Sequence, residues 1–149
     1  MQPPPPSSPP APKRRRRIPA FHPVPVGPRR DGWTPARQAH FIGLLAQTGS
    51  VSEAAALVGM RRESAYRLRA RPGAAGFAAA WDAALARPHK RVDLASTKAT
   101  GIEPGVRYAS GLVQVVVYRG RYRGSHRKDD INALLQHNAR LSRGMPEWW

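Results

Sequence analysis

Residues 50–71, SVSEAAALVGMRRESAYRLRAR, decide how this chain folds, because they spell two short helices joined by a glycine turn. Ser50 stands three residues before Glu53, the S-x-x-E spacing in which side chains satisfy the backbone N–H groups that a first helical turn leaves without partners. A helix is predicted to start there. Ala54, Ala55, Ala56, Leu57 and Val58 follow, small and aliphatic, so a neighbouring helix can cross at close range. Gly59 ends it, since a left-handed closing residue costs glycine nothing. The second helix is predicted from Arg61 to Arg71, stopped by Pro72. Ala65 and Leu68 share its inner face, and Glu63, Tyr66, Arg67 and Ala70 take the opposite one. Arg61 and Arg62 sit at its N-terminal end and Arg69 on its flank.

That layout is the one a helix-turn-helix uses to read DNA. Arginines on the exposed side of the second helix offer paired N–H donors to guanine edges and charge to phosphates. The plainer alternative is a helical hairpin with a solvated basic face. The flanking sequence favours a helical scaffold around it. Thr34 with Pro35 reads as a helix start, and Phe41, Leu44, Leu45 and Thr48 follow at helical spacing before Gly49 closes the helix. Beyond Ala74, the residues Phe77, Ala80, Trp81, Ala84 and Leu85 form one apolar stripe that needs a covering surface.

The chain carries 25 Lys plus Arg against 9 Asp plus Glu, a formal charge of +16. Such a surface seeks polyanions, and nucleic acid is the one that fits a helix-turn-helix. No run is long or apolar enough to span a bilayer, no basic amphipathic helix suits a membrane surface, and no secretory segment opens the chain. A cytoplasmic, nucleoid-associated protein is expected. With no cysteine, thiolate zinc sites and disulfides are excluded.

Residues 1–32, rich in proline with basic residues at Lys13, Arg14, Arg15, Arg16 and Arg17, are predicted to be a disordered arm outside any core. Its basic run reads either as a phosphate-tracking arm or as a solubilising tail. Residues 33–88 form the predicted helix-turn-helix domain, and residues 89–111 a connector with one short helix. In residues 112–149, LVQVVVY and RYRGSHR flank Arg119–Gly120 as a predicted β-hairpin. Arg119, Arg121 and Arg123 recur at every second position and could grip a DNA backbone as a wing does, or guard an exposed edge. Asp129 or Asp130 then caps a last helix, whose Ile131, Leu134, Leu135 and Leu141 stripe is covered either by the chain itself or by a second copy. The expected fold is mainly α: a helix-turn-helix helical domain followed by a β-hairpin and a C-terminal helix.

Two blocks, residues 49–85 with the AWDAAL segment and residues 115–135 with the YRGRY turn, resemble bacterial and phage helix-turn-helix DNA-binding proteins of the terminase-small-subunit type. The resemblance implies that Arg62, Glu63, Tyr66 and Arg67 form the recognition surface. It implies in turn a packaging-ring role beside a large packaging ATPase as the alternative to a transcriptional regulator. Pro88 breaks a helix that is usually longer in the group, and the proline-rich basic arm departs from it.

Catalysis has little support, and no cofactor or metal is expected. The five histidines never fall at metal-ligand spacing, and no nucleophile elbow or phosphate loop appears. Helix capping explains Asp129–Asp130, and Ser125–His126 has no orienting acid. The sequence therefore predicts a non-enzymatic, sequence-specific binder of double-stranded DNA that could form homo-oligomers. A general RNA or single-strand binder is the remaining alternative, without the interleaved surface aromatics that stacking platforms use.

Overall fold

The computed structural model describes residue 3 and residues 17–144. Its elements run α1 (Pro35–Thr48), α2 (Val51–Leu57), α3 (Arg62–Arg69), α4 (Ala75–Ala84), α5 (Thr97–Thr100), α6 (Pro104–Ser110), β1 (Leu112–Tyr118), β2 (Arg121–Lys128) and α7 (Ile131–Arg143). Helices dominate, with one two-stranded antiparallel hairpin beside them.

The capping chemistry sets the boundaries. Thr34 accepts from the Arg37 amide with Pro35 in the first turn, and Gly49 closes α1 at φ 69°. Ser50 accepts from the Glu53 amide at 3.2 Å, so α2 begins where the spacing places it. Gly59, at φ 75°, turns the chain toward α3. α3 is shorter than expected because Ala70 and Arg71 donate back three residues, to Arg67 and Leu68, which tightens the last turn.

α1 is the hub. Phe41 lies 5.0 Å from Trp81 and 5.4 Å from Trp33 between ring centroids, and Phe77 stacks on it from α4. Ala54 and Ala55 of α2 and Ala65 and Leu68 of α3 close the same core. Another side of α1, marked by His40, Gly43 and Gln47, carries the hairpin. The Tyr122 ring lies directly over Gly43, where a Cβ would collide with it, and Gln47 accepts from the Tyr122 amide at 3.0 Å.

The hairpin turns at Arg119 and Gly120, with φ of 52° and 75°. Positive φ at both turn residues matches the strand twist. Val116 pairs with Gly124 and Val117 with Tyr122, which leaves Arg123 in a bulge.

The expectation that residues 1–32 stand outside the core fails for residues 18–26. Ile18, Phe21 and Val24 are buried with the helices. Phe21 exchanges both backbone hydrogen bonds with Val113 at 2.8 and 3.0 Å, so the segment pairs with the free side of β1. Gln38, fully buried on α1, accepts from the Val24 amide at 2.7 Å and donates to the Val24 and Trp33 carbonyls. Proline leaves no amide donor at positions 19, 23 and 25, and the Phe21 and Val24 amides find these partners. The run of residues 4–16, with Lys13, Arg14, Arg15 and Arg16, lies outside the described residues.

The connector is also more ordered than expected: it holds two helices, α5 and α6. Fully buried Arg107 organises it, donating to the carbonyls of Ile102 and Leu94, to the Thr97 hydroxyl, and to Gln136 Oε1 on α7.

Candidate nucleic-acid interface

α3 is held by its inner face and flanks, which leaves one side free. Ala65 and Leu68 are buried in the core. At the N-terminal end, the indole N–H of Trp33 donates to Ser64 Oγ at 2.6 Å. At the C-terminal end, Arg69 grips Asp82 of α4 through two hydrogen bonds of 2.9 and 3.0 Å, while its guanidinium lies 5.2 Å over the Trp81 ring. A two-toothed guanidinium–carboxylate contact fixes both distance and angle. Arg69, expected among the base readers, is therefore committed to the scaffold, where it clamps α3 to α4.

The remaining candidates gather on the outer side. Arg61, Arg62, Glu63, Tyr66 and Arg67 are all exposed. Tyr66 has 43% of its surface open, with its ring 5.2 Å from Trp81 beneath and the Arg62 guanidinium 5.6 Å above. Trp81, Tyr66 and Arg62 thus contact in series, with the Tyr66 ring tilted by 52° against Trp81. Arg67 has no partner among the described residues and extends into solvent.

The hairpin makes a second basic cluster. Arg119 and Arg123 approach the half-exposed Tyr118 ring at 5.3 and 6.0 Å. They do so from the turn and the bulge. Arg121 lies between them in the chain, exposed, with its backbone paired to Tyr118. The two clusters hang from different sides of α1: Phe41, next to α3 and α4, lies about a quarter turn around the helix from His40 and nearly half a turn from Gly43, next to the hairpin. Arg17 is exposed just before the buried Ile18.

His22 was absent from the expected sites, and its pKa is lowered. Its Nε2 lies 2.7 Å from Asp130 Oδ2, whose other oxygen accepts from the Ala133 amide and caps α7. Burial lowers the His22 pKa; the hydrogen bond and charge of Asp130 oppose this less strongly, and Arg107 adds to the lowering. Nδ1 is buried without a partner. A neutral ring with its proton on Nε2 fits, because the charged ring would bury an unsatisfied N–H. The pair is closed to solvent, so it works as a joint between residues 18–26 and α7. The unfolded chain binds the proton more readily, so stability rises with pH up to the ordinary histidine value of 6.5 and falls as pH drops below it. Denaturant titrations at pH 7.5 and about pH 5 should show this loss, and His22→Gln should flatten it.

Among the described residues no group of three His, Cys, Asp or Glu side chains could hold a metal ion, and no helix is long and apolar enough to cross a membrane. Compared with known protein families, curated proteins and solved structures, the chain matches none.

Proposed function

We propose that this chain binds double-stranded DNA sequence-specifically, with α2 and α3 acting as a helix-turn-helix and α3 entering the major groove. The observation that carries the reading is the outer side of α3: Arg61, Arg62, Tyr66 and Arg67 are exposed together while Ser64, Ala65, Leu68 and Arg69 fasten the helix from behind. A reading helix needs both, since contacts to base edges discriminate only when the backbone beneath them is fixed. The net charge of +16 supplies the sequence-independent attraction. Arg119, Arg121 and Arg123, with the basic run at residues 13–17, are assigned to phosphates.

A transcriptional regulator is the role proposed first, and a DNA-packaging recognition subunit is the second. Arg62→Ala or Arg67→Ala should weaken the preferred site by about 1–3 kcal/mol and relax base preference there. Deleting residues 13–17 should weaken every sequence alike and flatten the salt dependence. Arg69→Ala should lower stability and weaken discrimination without changing which bases are preferred. Binding measured on matched and scrambled duplexes separates these outcomes, and uniform losses from all of them would remove base reading from α3.

A further inference from the structure

α7 is mounted with its amphipathic pattern turned outward. The side chains it sets against its own chain are small or polar. Ala133 is buried, Gln136 accepts from Arg107 and donates to the Ala95 carbonyl, His137 lies against Gly105, and Arg140 pairs with Glu103. At about 100° per residue these four fall on one side of the helix. The other side presents Ile131, Leu135, Asn138 and Ser142, flanked by Leu141 and half-buried Leu134, with Ile131, Leu135 and Leu141 exposed by 56%, 64% and 54%. A surface helix ordinarily turns its apolar stripe to its own core, and a contiguous exposed stripe marks an interaction surface.

The order of residues along that stripe says what covers it. Ile131, Leu134, Asn138 and Leu141 follow at steps of three, four and three, the a, d, a, d positions of two heptads. Ile at a with Leu at d favours a parallel pair, and a lone Asn at an a position fixes register and oligomeric state. No charged side chain lies on this face, in a chain of net charge +16. A second equally cationic copy meets here without the like-charge repulsion it would face across the basic surfaces.

We propose that α7 is a self-association helix, covered by α7 of a second copy of this chain in parallel. Each of Ile131, Leu134, Asn138 and Leu141 meets its own counterpart, the two Asn138 amides hydrogen-bond across the axis, and Leu135 flanks the seam. The seam is about 20 Å long, so the association is weak and concentration-dependent. It requires no nucleic acid and stands or falls apart from the DNA-binding reading.

The absence of cysteine makes the test direct. Asn138→Cys should form a disulfide-linked dimer under mild oxidation, because parallel pairing sets position 138 against itself. Asn132→Cys, turned well away from the seam, should not. Sedimentation of the unmodified full-length chain should show the mass rising with concentration from 16.4 kDa toward twice that value. Leu135→Asp with Leu141→Asp should hold the mass at one chain, with circular dichroism unchanged because both side chains are exposed. Asn138→Ile should tighten association and admit larger assemblies. A one-chain mass at every concentration, with both cysteine variants cross-linking alike, would overturn the proposal. So would a dimer in which mixed Leu134→Cys and Asn138→Cys chains cross-link while Asn138→Cys alone does not, since that pairing is antiparallel.

Discussion

Trp81→Ala is expected to remove about 3–5 kcal/mol of folding stability, a large part of what a domain of this size has. The side chain is 1% exposed and touches three elements at once: Phe41 of α1 at 5.0 Å, Tyr66 of α3 at 5.2 Å, and Phe77 of its own helix at 6.0 Å. It also provides the face on which the Arg69 guanidinium rests while it holds Asp82. The loss should therefore appear twice, as a lower denaturant midpoint and as weaker, less selective DNA binding under conditions where the variant remains folded. Trp81→Phe restores an apolar ring and should recover most of the stability. Should Trp81→Ala bind DNA with unaltered selectivity while folded, the bracing of α3 by α4 would have no part in recognition.

Arg107→Ala is expected to cost about 2–5 kcal/mol, from the volume lost and the acceptors left behind. Four of them depend on this guanidinium: the Ile102 and Leu94 carbonyls, the Thr97 hydroxyl and Gln136 Oε1. The damage should be regional, since those groups lie in the loop before α5, in α5, in the turn between α5 and α6, and in α7. Hydrogen exchange should rise across residues 94–110 and 131–143 before it rises in α1. Arg107→Met fills comparable space without the donors, and it should recover only a small part of the loss. Full recovery with methionine would show that Arg107 acts there through packing alone.

Local signals carried most of the element boundaries. Thr34, Ser50 and Asp130 each accept an amide hydrogen bond where a helix was expected to begin. Arg119 and Gly120 take the two positive φ angles that their place between apolar and basic runs called for. What could not be read is non-local. Ile18, Phe21 and Val24 stand among prolines, so composition spoke for a solvated arm; their partners, Gln114, Val113 and Gln38, lie outside the segment. Three apolar residues at every third position were the signal there. Arg69 resembled its neighbours Arg67 and Arg62 until Asp82 was placed opposite it. Arg107 sits in a stretch with no clear periodicity, because its neighbours serve a hydrogen-bonding network more than an apolar face. The stripe on α7 was legible, while its outward direction depended on Gln136, His137 and Arg140 finding partners behind the helix.

Selection from a random duplex-DNA library at near-physiological salt is the decisive measurement, because specific contacts survive there while the electrostatic attraction is reduced. DNA reading by α3 requires an enriched motif that Arg62→Ala and Arg67→Ala alter and Arg69→Ala leaves in place. No enrichment, with binding that vanishes as salt rises, would make the outer side of α3 an ordinary basic surface and the chain a nonspecific polyanion binder.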